Sequence, residues 1–213
     1  MKTLKKTLCL VLAVVMVLGV MAISTSAAGL TFSDADDIQY KEAVEVLVGL
    51  GIIDGMGDGT FDADGTLTRA QAAKIIAYML GKQDRTGLAT FTDVPDSHWA
   101  RNYIAFCAGE GIVGGYGDGN FGPEDPVTRE ELASIVYNYA LHKKADIFLK
   151  ANYKMNYTDK SSISAWAYIP MTWCSMKGII VGKEDGSVLD PKGTATRAEA
   201  ASIIRRLGIT LGK

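Results

Sequence analysis

Three arginines occupy the same local setting, each directly after a threonine and two residues before a glutamine or glutamate: Thr68-Arg69-Ala70-Gln71, Thr128-Arg129-Glu130-Glu131 and Thr196-Arg197-Ala198-Glu199. The pattern is a helix capping box, in which the threonine oxygen accepts the amide three residues on and the Gln or Glu side chain reaches back. It puts each arginine at the first helical position. The helix dipole favours negative charge there, so three cations at such a place need a tertiary reason. Two reasons stand side by side. The helix N-terminus and the guanidinium can together form a carboxylate site with bidentate bonds. Alternatively, each arginine pairs with an aspartate and ties a repeat together.

The aspartates are those of three aromatic-x-Asp triplets, Phe32-Ser33-Asp34, Phe91-Thr92-Asp93 and Tyr157-Thr158-Asp159. A further aromatic follows each triplet, at Tyr40, Trp99 and Trp166. Such rings can offer an apolar face to a ligand, but spacing alone favours packing in the core or between repeats. The turn Asp58-Gly59-Thr60-Phe61-Asp62-Ala63-Asp64-Gly65 has the look of a calcium loop. Thr60 stands where an EF-hand loop begins with Asp, and Gln71 where it ends with Glu, so turn chemistry is the better reading. His98 and His142 are the only histidines. Neither lies in a motif with a nucleophile, no spacing suggests zinc, and the sequence calls for no cofactor and no catalysis.

Self-comparison places these residues in three blocks, Phe32 to Leu80, Phe91 to about Leu141 and Tyr157 to Leu207. After its triplet each block runs into an amphipathic stretch that ends at glycine; Ala100, Tyr103, Ile104, Cys107 and Ala108 show the helical spacing. A glycine-rich connector follows, at Gly51-Ile52-Ile53-Asp54-Gly55, Gly111-Ile112-Val113-Gly114-Gly115 and Gly178-Ile179-Ile180-Val181-Gly182. Then come Asp-Gly pairs (Asp58, Asp118 and Asp185) and an apolar residue, Phe61, Phe121 or Val188. This reads as a compact loop with little regular strand. The capping box then opens a second amphipathic helix. Two short helices and a loop cannot bury their own apolar faces, so the copies must pack on one another. The expectation is a mainly α, pseudo-threefold domain with a shared helical core. The connectors Gly81 to Thr90 and His142 to Asn156 are candidate linkers, the second a solvated extension rich in lysine.

Residues 1 to 28 have the layout of a secretory signal peptide: Lys2, Lys5 and Lys6, an uncharged run from Leu8 to Ile23, then Ser24-Thr25-Ser26-Ala27-Ala28. The expected division is a signal at 1–28 and repeats at 29–84, 88–145 and 155–213. The chain carries 22 basic and 24 acidic residues; without the three signal lysines the balance is 19 against 24, a net charge of −5. Nothing in this predicts affinity for nucleic acid, and no later segment reaches membrane-spanning length. Beyond the signal peptide the cysteines are Cys107 and Cys174, eight residues after Trp99 and Trp166. We read them as small buried side chains with Val48 as counterpart; an inter-repeat disulfide formed outside the cell is the alternative.

The ordered set of aromatic-x-Asp, Trp, Gly-Ile-[Ile/Val]-x-Gly, Asp-Gly-x-Phe and Thr-Arg-[Ala/Glu]-[Glu/Gln] closely resembles the S-layer homology module. The likeness extends over nearly all of residues 29 to 213. It implies a single-chain pseudo-trimer, secreted to the cell wall or cell surface. Its implied partner is a secondary cell-wall polysaccharide attached to peptidoglycan, held through a pyruvylated amino-sugar end in grooves between repeats. It implies ligand-binding roles for Arg69, Arg129 and Arg197, for Tyr40, Trp99 and Trp166, and for Asp34, Asp93 and Asp159. Departures are Tyr40 at a Trp position, Tyr157 and Val188 in place of two Phe, and a third repeat without the Val94-Pro95 pair. Unequal grooves are therefore expected. The alternative function is a structural assembly role through contacts with other surface-layer proteins.

Overall fold

The computed structural model describes residues 30–81, 90–183 and 186–212. The predicted signal peptide, most of the first connector and Asp185 lie outside the described residues. Six α-helices form there: α1 (Lys41–Gly49), α2 (Arg69–Met79), α3 (Arg101–Gly109), α4 (Arg129–His142), α5 (Tyr168–Met176) and α6 (Arg197–Leu211). Among the described residues the loops make only isolated bridges, and no helix is long and apolar enough to cross a membrane.

Local chemistry sets the helix ends. The second helix of each repeat begins at its capping box: Thr68, Thr128 and Thr196 accept the amides of Gln71, Glu131 and Glu199, whose side chains return to the threonine amides. The first helix of each repeat stops in one shared way. Gly51, Gly111 and Gly178 take φ of 64°, 70° and 67°, a region open to glycine without a Cβ penalty. Ile52, Ile112 and Ile179 then donate back to the carbonyls of Leu47, Cys107 and Cys174. This is the Schellman arrangement, and the residues at the bonded positions all belong to the apolar core or pack against it.

That stop corrects one register. Leu47, not Val48, is the counterpart of Cys107 and Cys174, and Leu47 is buried. The cause is a length difference: Gly51 follows Asp34 by 17 residues, Gly111 follows Asp93 by 18, and Gly178 follows Asp159 by 19. Counting forward from the aromatic residue therefore lands one position late in the first repeat. Tyr40 accordingly sits at the helix-cap position held by Ala100 and Ala167, and takes a left-handed φ of 58° there.

Packing between repeats is cyclic. Helix α2 lies on α3, α4 on α5, and α6 on α1, so the last helix closes against the first. At the centre, three backbone bonds run head to tail around the ring: Leu67 N–H donates to Ala195, Ala195 to Val127, and Val127 to Leu67. Leu67, Val127 and Ala195 are fully buried, and one continuous apolar core surrounds them. The second connector is more than a solvated extension. The Trp173 indole donates to the Asp146 carbonyl, the Tyr153 hydroxyl meets Ser175, and Met155 is buried against the core.

Candidate functional site

Each Thr-Arg arginine is buried and reaches out of its own repeat. Arg69 Nε donates to the Phe121 carbonyl at 2.8 Å and Nη2 to Gly114 at 2.7 Å. Arg129 donates to Leu189 at 2.8 Å and Val181 at 2.9 Å. Arg197 donates to Phe61 at 2.8 Å and Asp54 at 2.7 Å. The first repeat thus grips the loop of the second, the second grips the third, and the third grips the first. Two of the arginines also face a capping-box glutamate of the next repeat, Arg69 with Glu131 at 2.9 Å and Arg129 with Glu199 at 3.7 Å. The capping-box residue at that position in the first repeat is Gln71, which carries no charge.

The arginines do not pair with the triplet aspartates in the way the sequence suggests. Asp34 accepts the amides of Phe61 and Asp62 at 2.8 Å each, Asp93 those of Phe121 and Gly122, and Asp159 those of Leu189 and Asp190. An aspartate and an arginine therefore hold opposite ends of one loop residue. Burial pushes the Asp93 carboxyl up, but the two amides and the nearby Arg69 charge outweigh it and leave the acid below its ordinary value. The Phe61 amide is the main reason Asp34 is also lowered.

The helix N-termini differ from expectation too. Arg69 and Ala70 donate their backbone amides to Asp125 and Pro123, Arg129 and Glu130 to Gly193 and Pro191, and Arg197 and Ala198 to Gly65 and Ala63. The next amide serves the capping threonine. The helix ends are spent on neighbouring loops, which also explains how a cation is tolerated there: the carbonyls it meets reverse the local field. The part of this site left for a ligand is the guanidinium itself.

Aromatic residues predicted to pack are exposed. Trp99 is 52% exposed, Trp166 58% and Tyr40 39%, whereas the tryptophan of the core is Trp173. Trp166, from the third repeat, lines a groove of about 450 Å³ with Arg69 of the first and Tyr116 and Phe121 of the second. Tyr40, from the first repeat, lines the matching groove with Arg129 of the second and Lys183 of the third. Each of these two grooves draws on all three repeats, and the left-handed turn at Tyr40 brings a residue in a helix-cap register to the place of a tryptophan. The Arg69 guanidinium lies over the rings of Tyr116 and Phe121, 4.6 and 4.7 Å from their centroids, a pair of cation–π contacts.

Sequence reasoning did not single out three residues that shape this region. Tyr116 and Lys183 share a register, each following the connector's last glycine, and alignment of the repeats is the signal that exposes them. Glu130 is buried where the other repeats have Ala70 and Ala198; its carboxylate accepts the Ser164 amide and hydroxyl and pairs with Lys192 at 2.6 Å. The cysteines are free and buried, and each thiol contacts a carbonyl of the preceding repeat, Ala73 for Cys107 and Ala133 for Cys174. The disulfide alternative is overturned: the two belong to different helix pairs. The Asp58 carboxylate accepts the amide and hydroxyl of Thr60 at 2.9 and 2.7 Å, the turn chemistry expected of it.

A family model for the S-layer homology domain matches residues 31–73, 90–133 and 156–201. The chain belongs to the S-layer homology family. It is 35% identical over 175 residues to an amylopullulanase of Thermoanaerobacterium thermosulfurigenes, covering 82% of this chain and 9% of that protein. Exoglucanase XynX of Acetivibrio thermocellus matches at 35% over the same share of the chain and 16% of its own length. A cellulosome-anchoring protein of Acetivibrio thermocellus is 33% identical over 71% of this chain and 34% of its own. The chain thus spans a minor part of each of these relatives.

Proposed function

We propose that this protein is a non-catalytic anchoring module of the bacterial cell surface that binds secondary cell-wall polysaccharide without a covalent bond. The observation that supports this most directly is the groove over Arg69. A buried cation, an exposed tryptophan and an exposed tyrosine converge there from three repeats, the combination suited to a sugar ring that carries an acid. A guanidinium has five N–H donors. Arg69 uses one each from Nε, Nη1 and Nη2 on Phe121, Glu131 and Gly114, which leaves two for a carboxylate. A pyruvyl ketal on an amino sugar presents that carboxylate beside an apolar methyl, and Trp166 supplies the face for the ring. In this reading Asp34, Asp93 and Asp159 serve the ligand indirectly, by holding the loops whose carbonyls orient the arginines. Trp99 with Arg197 completes the set in cyclic order. A cellulosome-anchoring protein and surface-layer proteins among the relatives agree with a surface role.

The test is co-sedimentation of residues 29 to 213 with sacculi before and after chemical removal of pyruvyl groups. Loss of binding on depyruvylation is expected. Undiminished binding would remove the carboxylate from the reading, and no binding to either preparation would transfer the role to contacts with other surface-layer proteins.

A further inference from the structure

The two described grooves share one plan and differ greatly in room. About 450 Å³ is open over Arg69 and about 20 Å³ over Arg129. A pyranose ring fits the first and only about a water molecule fits the second. Backbone contacts put Tyr116 and Lys183 in equivalent places: Tyr116 donates to Asn120 across its loop, and Lys183 to Val188. Their side chains then go to acids at different positions of the two loops, Asp125 four residues after Phe121 and Asp190 directly after Leu189. Tyr116 gives its hydroxyl to Asp125 at 2.9 Å and leaves the groove open. Lys183 lies between two carboxylates of its own repeat, Asp190 at 2.9 Å and Glu199, on the groove wall, at 3.4 Å.

Resting on the wall-polymer reading above, we infer that Lys183 is a plug: by spanning Asp190 and Glu199 it keeps the Arg129 groove shut, so that the Arg69 groove seats the glycan first. Charge and space act together here. The ammonium pairs with Glu199, which also faces Arg129 at 3.7 Å, and the lysine lines the narrow groove where Tyr116 lines the open one. Two partly exposed ion pairs amount to a bias of about tenfold, so the plug is a removable one. Arg206, which also lines this groove, stands where the open groove has Asn138.

The test is an NMR titration of residues 29 to 213 with a pyruvylated amino-sugar disaccharide. The Gly114 and Gly115 amides and the Trp166 indole report on one groove, the Val181 and Gly182 amides on the other. In the unmodified protein the first set is expected to shift while the second stays still. Lys183→Ala is expected to bring in the second set, with the response at Gly182 strengthened about tenfold. Asp190→Asn, whose residue tolerates the left-handed backbone at that position, is expected to produce a smaller change with the lysine intact. Shifts at Gly182 in the unmodified protein at the same disaccharide concentration, or silence there in both variants with native spectra, would overturn the plug. If neither groove responded in any protein, the wall-polymer reading would fail first and this inference with it.

Discussion

Arg69 and Asp93 lie in different repeats and hold one residue from its two ends: the arginine takes the carbonyl of Phe121 and the aspartate takes its amide, each at 2.8 Å. The same clamp recurs on Leu189 with Arg129 and Asp159, and on Phe61 with Arg197 and Asp34. A loop fastened this way cannot move without releasing an inter-repeat contact. Stability and ligand presentation are therefore carried by the same side chains.

Arg69→Ala should cost about 3–5 kcal/mol, because it strands the Glu131 charge and leaves the Phe121 and Gly114 carbonyls without their donor. Urea denaturation followed by circular dichroism measures it. Arg69→Lys should fall between, since one ammonium cannot serve three divergent acceptors. A loss below about 1 kcal/mol for the alanine variant would show that the clamp is weak.

Trp166→Ala separates binding from folding. Its ring is mostly exposed, so stability should change by no more than about 0.5 kcal/mol, while affinity for sacculi should drop roughly tenfold if the ring stacks on sugar. Unchanged affinity in the sedimentation assay would take the tryptophan out of the site.

Acid should loosen the clamps. The Asp34 and Asp93 carboxyls lie below the unfolded aspartate value of about 3.9. Their contribution is therefore complete above that value and is lost as pH falls through the depressed folded values. Thermal melting of Asp93→Asn should fall less steeply with pH below about 4 than that of the unmodified protein. Parallel curves would contradict the assignment.

Thiol labelling checks the cysteines. Burial pushes the Cys107 thiol up to about 12 and raises Cys174 further, and a protonated thiol is a poor nucleophile. Iodoacetamide at pH 8 should label neither in the folded protein and both in urea without reductant. Absence of labelling in urea would indicate a disulfide.

The helix starts were legible in the sequence because a capping box is a local device: Thr128 and Glu131 find each other within one turn. The mainly helical repeat fold was legible for a related reason, since apolar spacing and glycine stops recur within each copy. The recipient of each arginine was not. Arg69 and Phe121 are 52 residues apart, and three copies of one pattern do not state whether a side chain serves its own loop or the next. The exposure of Trp99 and Trp166 escaped for a physical reason as well. A tryptophan set just before a helix reads as core, whereas Ala100 and Ala167, one residue further on, are the fully buried neighbours. Lys183 was visible at its position, but its effect depends on Glu199 of α6 approaching its loop, 16 residues further along the chain.

The pairing of α1 with α6 bears on how the molecule comes into being. Arg197 meets the carbonyl of Phe61 across 136 residues of chain, so an early repeat waits for the last helix before its exposed flank is covered. Stepwise accumulation of stable repeats is thereby disfavoured, because closing so long a loop costs entropy before any contact repays it. A chain cut after the second repeat leaves both α1 and α4 without the helices that cover them. Folding is thus committed only once the third repeat is available, and a chain that lacks it offers apolar helix faces to chaperones and proteases alike.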